Sequence, residues 1–265
     1  MWKVKTGKNT DDGAHSVRAL ERGLEVLRCF KPEERFLGNQ DIAQRTGLPK
    51  PTITRLTHTL TNLGFLSYSE KHGKYRLDSA ALTLGYSYLV NMDVRRIARP
   101  MMQELAEHAQ ASVSLSVQDR LNMLYIEAFR SSATVTLALD VGSQIPLATT
   151  SVGRALLCAL PENEYTAILQ QVQDSNEADW PLIKAGIDQA RVDYATRGFC
   201  FSLGDWIPDV HAIAAPLIPL DGSKILVFSC AGAAFQLNRR LLEEDLGPRL
   251  LHLIAKVKDA LDRLP

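Results

Sequence analysis

Apolar residues recur at helical or strand spacing in several separated segments of the chain, and the clearest pattern lies between residues 38 and 66. The segment GNQDIAQRTGLPKPTITRLTHTLTNLGFL reads as two short helices across a tight turn. The first runs from about Asn39 to Thr46 and turns Ile42 and Ala43 inward. Gly47 follows where helices most often end in a left-handed residue. Leu48 is placed to bury, and Pro49 and Pro51 fall in the turn and at the opening of the next helix, where proline costs little. In that second helix Ile53, Leu56, Leu60 and Leu63 form an inner stripe. Lys50, Thr52, Thr54, Arg55 and His58 are left on the other faces, a small, hydroxyl-rich and basic surface suited to a major groove.

The flanking patterns extend this unit. Val17, Leu20, Leu24, Leu27 and Phe30 mark one face of a preceding helix, expected to pack across the other two. After Gly64 the stretch FLSYSEKHGKYRLD holds two alternating runs, with Phe65, Leu66, Tyr68, Tyr75 and Leu77 as strand residues and Gly73 in the turn. Three helices and a hairpin make a winged helix-turn-helix. Lys71, His72, Lys74 and Arg76 on the wing would lie beside phosphates or a minor groove.

The remainder alternates between the two periods. Leu82, Leu84, Tyr88 and Leu89 predict an amphipathic linker helix after Ser79. Ile97, Met101, Leu105 and Ala109 continue the helical spacing around Pro100, where a kink or restart is expected. SVSLSVQD and MLYIEAF read as strands joined by a turn at 119–122, and TVTLALD as a third. Helices are expected from about Gly153 to Leu160, Glu162 to Gln171 and Leu182 to Thr196, the last ended by Gly198. FCFSL, HAIAAPLI and KILVFSCAG supply further strands, and Leu246, Leu250, Leu253, Val257 and Leu261 a closing helix. Strands in two clusters with helices between them predict an α+β region, an antiparallel sheet covered by helices.

Composition alters this picture little. The 265 residues carry 30 basic and 30 acidic side chains, so a strongly basic or acidic character is excluded. The balance is uneven, however: residues 1–79 hold 14 Lys and Arg against 9 Asp and Glu, and residues 80–265 hold 16 against 21. A basic first third on an acidic remainder fits nucleic-acid contact at one end. The length favours two domains. No charged-then-apolar leader opens the sequence, and no apolar run approaches the roughly 20 residues that span a bilayer. The expectation is a cytoplasmic protein without membrane partners. Cys29, Cys158, Cys200 and Cys230 are scattered, with no His at ligand spacing, and read as free thiols in a reducing compartment. No metal or cofactor is expected.

Three motifs carry a family resemblance. SVRALERGLEVL at 16–27, DIAQRTGLPKPTITRLTHTL at 41–60 and GKYRLDSAALTLG at 73–85 resemble the N-terminal region of the IclR family of bacterial transcription regulators. DVGSQIPLATTSVGRALLCALP at 140–161 and RGFCFSLGDWIPDVHAIAAPLIPLDG at 197–222 resemble its two effector-domain signatures. Arg197, Gly198, Ala214, Ala215 and Pro216 fall in register with the second. The resemblance covers nearly all of the chain from Ser16 onward. The polar residues 1–15 read as a disordered tail, and the resemblance implies a winged helix-turn-helix over 16–78, a linker helix over 79–95 and a GAF-like effector-binding domain over 96–265. It also implies a double-stranded DNA operator, a homodimer through the linker helix around Leu82–Leu89 or a homotetramer, and a small organic acid as effector.

Well-known members hold a small carboxylate through an Asp and a Cys of the second signature and two serines on the following strand. Those positions correspond here to Ser202, Ala212, Ser229 and Ala231. Two polar groups are lost outright, and a buried polar ligand atom left unmet costs about 1–3 kcal/mol. The substitution favours a bulkier, aromatic acid with its carboxylate on backbone N–H groups, for which the turn from Ser151 to Gly153 at a helix start offers donors. Pro51 stands where the family more often has Ser or Ala and removes one N–H donor from the recognition helix.

Two other classes are weighed against a regulator. An enzyme with a small regulatory head finds no G-x-S-x-G, H-E-x-x-H, P-loop or G-x-G-x-x-G after a strand. Asp205, Asp209 and His211 could form an acid–base group, although a polar loop beside the effector pocket accounts for them more simply. An effector-blind architectural DNA binder would share the N-terminal features but would ignore every metabolite.

Overall fold

The computed structural model describes residues 17–32, 34–131, 139–220 and 222–263. The predicted strand TVTLALD lies mostly outside them, and the N-terminal tail entirely so. The chain divides into two compact units, Met1–Asn91 and Met92–Pro265.

In the first unit, α1 (Arg18–Arg28), α2 (Asn39–Thr46) and α3 (Lys50–Asn62) enclose a small core of Val26, Leu37, Ile42, Ile53, Leu60 and Leu66. Gly47 ends α2 at φ +69°, a left-handed conformation that glycine adopts without a Cβ clash. Strands β1 (Leu66–Ser69) and β2 (Lys74–Leu77) form the wing, paired from Leu66–Leu77 to Ser69–Lys74. A further bridge joins Leu37 to Tyr75, so the segment before α2 extends the wing sheet.

Three expectations are corrected here. The predicted α1 face packs only at its end, where Leu27 and Phe30 join the core: Val17 is 64% exposed and Leu20 and Leu24 are exposed as well, whereas Val26 is fully buried. Val26 lies about half a turn around the helix from Val17, so α1 is apolar on two sides and this core covers only one. Leu63, assigned to the inner stripe of α3, is 61% exposed, because the helix ends at Asn62 and the chain turns at Gly64. Helix α4 (Ser79–Val90) is not amphipathic: Leu82, Leu84, Tyr86, Tyr88 and Val90 are exposed around its whole circumference and none of its residues is buried.

The second unit is built on one antiparallel sheet in the order β5-β4-β3-β8-β7-β6. Its strands are β3 (Ser112–Asp119), β4 (Asn122–Arg130), β5 (Gln144–Pro146), β6 (Cys200–Leu203), β7 (Val210–Leu217) and β8 (Leu226–Ala233). Helices α5 (Asp93–Ala109) and α10 (Gly247–Leu261) pack together on one face, and α6 (Ser151–Ala159), backed by α8 (Trp180–Arg197), on the other. Helix α7 (Glu162–Ser175) and the short α9 (Arg239–Leu241) complete the helices, and a π-helical turn over Leu242–Leu246 leads into α10. The core on the α6 side contains Met123, Tyr125, Leu147, Leu156, Ile187 and Val227.

Helix α5 runs unbroken through Pro100, and its buried face is Val94, Ala98, Met102, Leu105, Ala106 and Ala109. Leu105 and Ala109 of the expected stripe are buried, Ile97 and Met101 flank that face half-buried, and the helix does not restart at Pro100. Among the described residues no helix is long and apolar enough to cross a membrane.

Candidate functional sites

The first unit presents the outer face of α3. Lys50, Pro51, Thr54, Arg55 and His58 are exposed, and Thr52 is half-buried. Pro49 caps the helix, accepting from the N–H groups of Thr52 (2.9 Å) and Ile53 (3.1 Å), with Pro51 in the first turn. The Thr54 hydroxyl donates to the Lys50 carbonyl (3.1 Å) and accepts from Asn39 Nδ2 (3.2 Å), which fixes the end of α2 against the recognition helix. Thr57 is fully buried, its hydroxyl returned to the Ile53 carbonyl at 3.0 Å. A helix can bury such a threonine because that bond satisfies the donor.

On the wing, Lys71 is exposed at the turn. Arg76 Nε donates to Ser67 Oγ (3.0 Å), and Lys74 Nζ pairs with Asp41 Oδ2 (3.2 Å). Asp41 also accepts the Gly38 N–H at 2.9 Å. That bond, together with the ammonium of Lys74, holds its carboxyl below the usual range. Arg35, Phe36, Tyr68, Ser69, Lys71, His72 and Arg76 line one open groove of about 550 Å³. The His72 ring stacks on Phe36 at 4.5 Å and shares a 2.9 Å hydrogen bond with Ser69, while the Arg35 guanidinium lies 5.3 Å from the Phe36 ring. Arg35 and Phe36 carry no local signal in the sequence; the Leu37–Tyr75 bridge brings them to the wing.

The second unit holds a cavity between α6, the sheet and the loop from β6 to β7. Tyr125, Ile145, Thr150, Ser151, Val152, Ser202, Trp206, Ile207, Val210, Ala212, Ser229 and Ala231 line it. Its free volume is about 20 Å³, room for little more than one water. Alternation along β8 turns Val227, Ser229 and Ala231 toward α6 and Phe228 and Cys230 away from it. Ser229 Oγ lies 2.7 Å from Ser114 Oγ across the β3–β8 ladder, where the two residues are paired in register. Burial pushes the pKa of the Tyr125 phenol up, against the opposing effect of the Ser114 and Ser229 hydroxyls. Ser202 Oγ donates to the Thr149 carbonyl at 3.1 Å. Ser151 Oγ is buried with no hydrogen-bond partner among the described residues, in the first turn of α6, where backbone N–H groups also lack intrahelical acceptors.

Five of the six residues expected around an effector therefore share one cavity: Ser151, Ser202, Ala212, Ser229 and Ala231. Gly153 does not join them. Its N–H goes to the capping hydroxyl of Thr150 (3.2 Å), and a Cβ added to it would lie 1.8 Å from the Leu147 carbonyl oxygen. Its absent side chain is what lets α6 seat on that backbone.

Sequence reasoning missed Tyr125, Trp206 and Ile207. The row Ser112, Ser114, Ser116 in SVSLSVQD was the available sign of a hydroxyl-bearing inner face. Buried Arg154 ties α6 to the loop, donating from Nη1 to the Phe201 carbonyl (3.2 Å) and Asp205 Oδ2 (2.8 Å). Asp205 is thus engaged with Arg154, while His211 Nδ1 lies 2.8 Å from the Leu237 carbonyl; the two groups serve separate partners. Among the described residues no group of three or more His, Cys, Asp or Glu is arranged to hold a metal.

The comparisons with known proteins fit both units. Residues 19–70 match the IclR helix-turn-helix domain, and residues 86–259 match the bacterial transcriptional regulator IclR C-terminal domain. The chain is 30% identical over 250 residues to the HTH-type transcriptional regulator TsaQ1/TsaQ2 of Comamonas testosteroni, covering 94% of this chain and 90% of that protein. The crystal structure of an IclR family transcriptional regulator from Brucella abortus superposes with a TM-score of 0.88 at 44% identity, over 97% of each chain. An IclR homologue from Microbacterium hydrocarbonoxydans, solved in complex with 4-hydroxybenzoate, shares the fold at 20% identity, with a TM-score of 0.71 over 93% of this chain and 100% of that one. With a winged helix-turn-helix, a helix-covered antiparallel sheet and family matches to both, the chain belongs to the IclR family of bacterial transcriptional regulators.

Proposed function

We propose that this regulator binds operator DNA through α3 and the wing, and that an aromatic or otherwise bulky organic acid in the cavity of the second unit modulates that binding. The division that goes with it is a DNA-binding domain over 16–78, a linker over 79–95 and an effector domain over 96–265. Ser151 carries the effector reading: a buried hydroxyl without a partner, at a helix N-terminus, in a cavity whose other walls include Tyr125, Trp206, Ile145 and Ile207. A carboxylate there would meet the Ser151 hydroxyl and the open N–H groups of the first turn of α6. Its ring would lie among apolar side chains, with Ala212 and Ala231 giving width where bulkier polar residues would block it. The relative that binds 4-hydroxybenzoate supports the same ligand class.

Ligand sites of several hundred Å³ are the norm, so entry requires Trp206 and Ile207 to swing outward. The acid would then bind the open form preferentially, which is the differential affinity a switch needs.

The same reading makes the protein a homodimer. A helix apolar around its circumference is ordinarily buried, and among the described residues none of α4 is buried. The second apolar side of α1 leaves Val17, Leu20 and Leu24 similarly bare. A dimer would present two α3 helices to half-sites about one helical turn, ~34 Å, apart.

The experiment is a mobility shift on the upstream intergenic DNA, titrated with 4-hydroxybenzoate, benzoate and glyoxylate, beside thermal melting with the same acids. An aromatic acid that raises the melting temperature and changes operator affinity supports the reading. A response to glyoxylate alone, or to none of the acids, sinks its effector half.

A further inference from the structure

Cys158 and Cys200 stand 42 positions apart in sequence, yet their sulfurs lie 3.8 Å apart. Cys158 is half-buried near the C-terminal end of α6, and Cys200 is fully buried at the start of β6. Both are free thiols. We propose that Cys158 and Cys200 form a peroxide-oxidisable pair whose reversible disulfide clamps α6 to β6, the two elements that carry Ser151 and Ser202 into the cavity.

The surroundings divide the roles. Cys158 is the more accessible sulfur; the hydrogen bond it shares with Cys200, with the positive charge of Arg191, lowers its pKa despite partial burial. Arg191 is held in place over the Tyr165 ring, 4.7 Å from its centre, and lies 3.9 Å from Glu162. A half-exposed cysteine with enhanced thiolate character beside a cation is the kind that peroxides oxidise first. Cys200 has the opposite setting. The hydrogen bond shared with Cys158, together with burial, pushes its pKa up. A second contact, 3.5 Å to the Ala190 carbonyl, aligns it.

The reaction balances with the peroxide as oxidant. The Cys158 thiolate attacks one peroxide oxygen, the O–O bond breaks, and after protonation a sulfenic acid and one water result. Conversion to a neutral sulfenic acid removes the negative charge that held the Cys200 proton. Cys200 then ionises and attacks the Cys158 sulfur, expelling the sulfenic oxygen as a second water. Two thiols and one hydrogen peroxide become one disulfide and two waters.

A disulfide needs its sulfurs about 2.05 Å apart, so the pair must close by well over 1 Å. Since β6 is the edge strand of the sheet, closure draws a free edge toward α6 rather than straining the sheet centre. It fixes the spacing of the walls between which an effector would sit. The other two cysteines lack this arrangement: Cys230 is fully buried with its thiol pushed up to about 12 by burial alone, and burial also raises Cys29.

The test treats the full-length reduced protein with a small molar excess of hydrogen peroxide, followed by non-reducing peptide mapping. The expected product is a cross-linked peptide pair joining Cys158 to Cys200, two hydrogens short in mass and restored by dithiothreitol. Cys200→Ser should instead accumulate a Cys158 sulfenic acid that dimedone traps, and Cys158→Ser should give neither product. Consumption of Cys29 before Cys158, or over-oxidation of Cys158 without a cross-link, overturns the proposal. This readout needs no DNA, so it stands apart from the regulator reading it extends. In the second arm the cross-linked protein is titrated on the upstream DNA, where an affinity change of about fivefold or more is expected. A cross-link that leaves operator binding unaltered overturns the clamp as a switch.

Discussion

Tyr125 and Glu127 are two positions apart on β4 yet face opposite sides of the sheet. Strand alternation would place them on one face. A bulge intervenes: Ser116 pairs with Tyr125 and Leu115 with Glu127, leaving Ile126 unmatched. Tyr125 consequently points into the cavity, and Glu127 points at α5, where one carboxylate oxygen takes Arg95 Nη2 and Arg99 Nη1, each at 3.0 Å. Glu127 is only 4% exposed. Glu127→Ala removes the buried carboxylate that Arg95 and Arg99 share and should destabilise the protein by about 3 kcal/mol, with Glu127→Gln costing less. Urea unfolding of the three proteins checks this. A loss below about 1 kcal/mol for Glu127→Ala would mean that water already satisfies both guanidinium groups.

The seat of α6 makes a second prediction. An alanine Cβ at position 153 would lie 1.8 Å from the Leu147 carbonyl oxygen, a backbone atom that cannot rotate away. Gly153→Ala should therefore lift the N-terminus of α6 from the sheet, at a cost of about 3 kcal/mol or more. Because Ser151 and Val152 line the cavity in that same turn, ligand-dependent stabilisation should vanish as well. Thermal melting of Gly153→Ala, with and without an aromatic acid, reads both effects.

How far the sequence reveals these features follows from how local each one is. The α2–turn–α3 unit was legible because its signals lie within one short segment: the inward Ile42 and Ile53, the left-handed Gly47 and the prolines at the start of α3. The packed side of α1 was not, since Val26 and the stripe of Val17, Leu20 and Leu24 are equally apolar, and only the tertiary core decides between them. The amphipathic reading of α4 failed because Leu82, Leu84, Tyr88 and Leu89 do not share a face: Leu84 and Tyr88 lie opposite Leu82 and Leu89, and Tyr86 and Val90 extend the Leu82 side. The cavity serines were legible by resemblance, and Ser114 through strict alternation. Trp206 and Ile207 reach the cavity from a loop whose path depends on the Arg154–Asp205 pair, a contact between residues 51 positions apart. A one-residue bulge such as that at Ile126 leaves no trace in hydrophobic periodicity.

Asp41 gives a prediction that depends on pH. Its native carboxyl titrates below its ordinary value of 3.8 because it accepts the Gly38 N–H and faces Lys74. The unfolded chain therefore takes up this proton first. The stabilisation is complete above the unfolded pKa and declines as pH falls through the lower native value. The side chain is 41% exposed, which limits the contribution to about 1 kcal/mol. Asp41→Asn should melt below the wild type at about pH 6, and the gap should narrow toward about pH 3. A gap that stays constant across this range would assign the cost to packing rather than to charge.

The two parts of the DNA surface should separate by salt and sequence. Arg55 stands exposed on the outer face of α3, and an arginine fork that meets a guanine edge is worth about 1–3 kcal/mol of discrimination. Arg55→Ala should therefore reduce operator affinity by about tenfold or more while leaving binding to unrelated DNA nearly unchanged. Arg35 and Lys71 line the wing groove, where the proposed DNA contact would set them beside backbone phosphates. Arg35→Ala and Lys71→Ala should weaken operator and unrelated DNA alike, each lowering the slope of log affinity against log salt by about one. Fluorescence anisotropy on both DNAs at several salt concentrations measures all of this in one series. If Arg35→Ala leaves the slope unchanged, the groove at Phe36 and His72 lies off the phosphate path, and the wing makes contact through Lys71 and its turn alone.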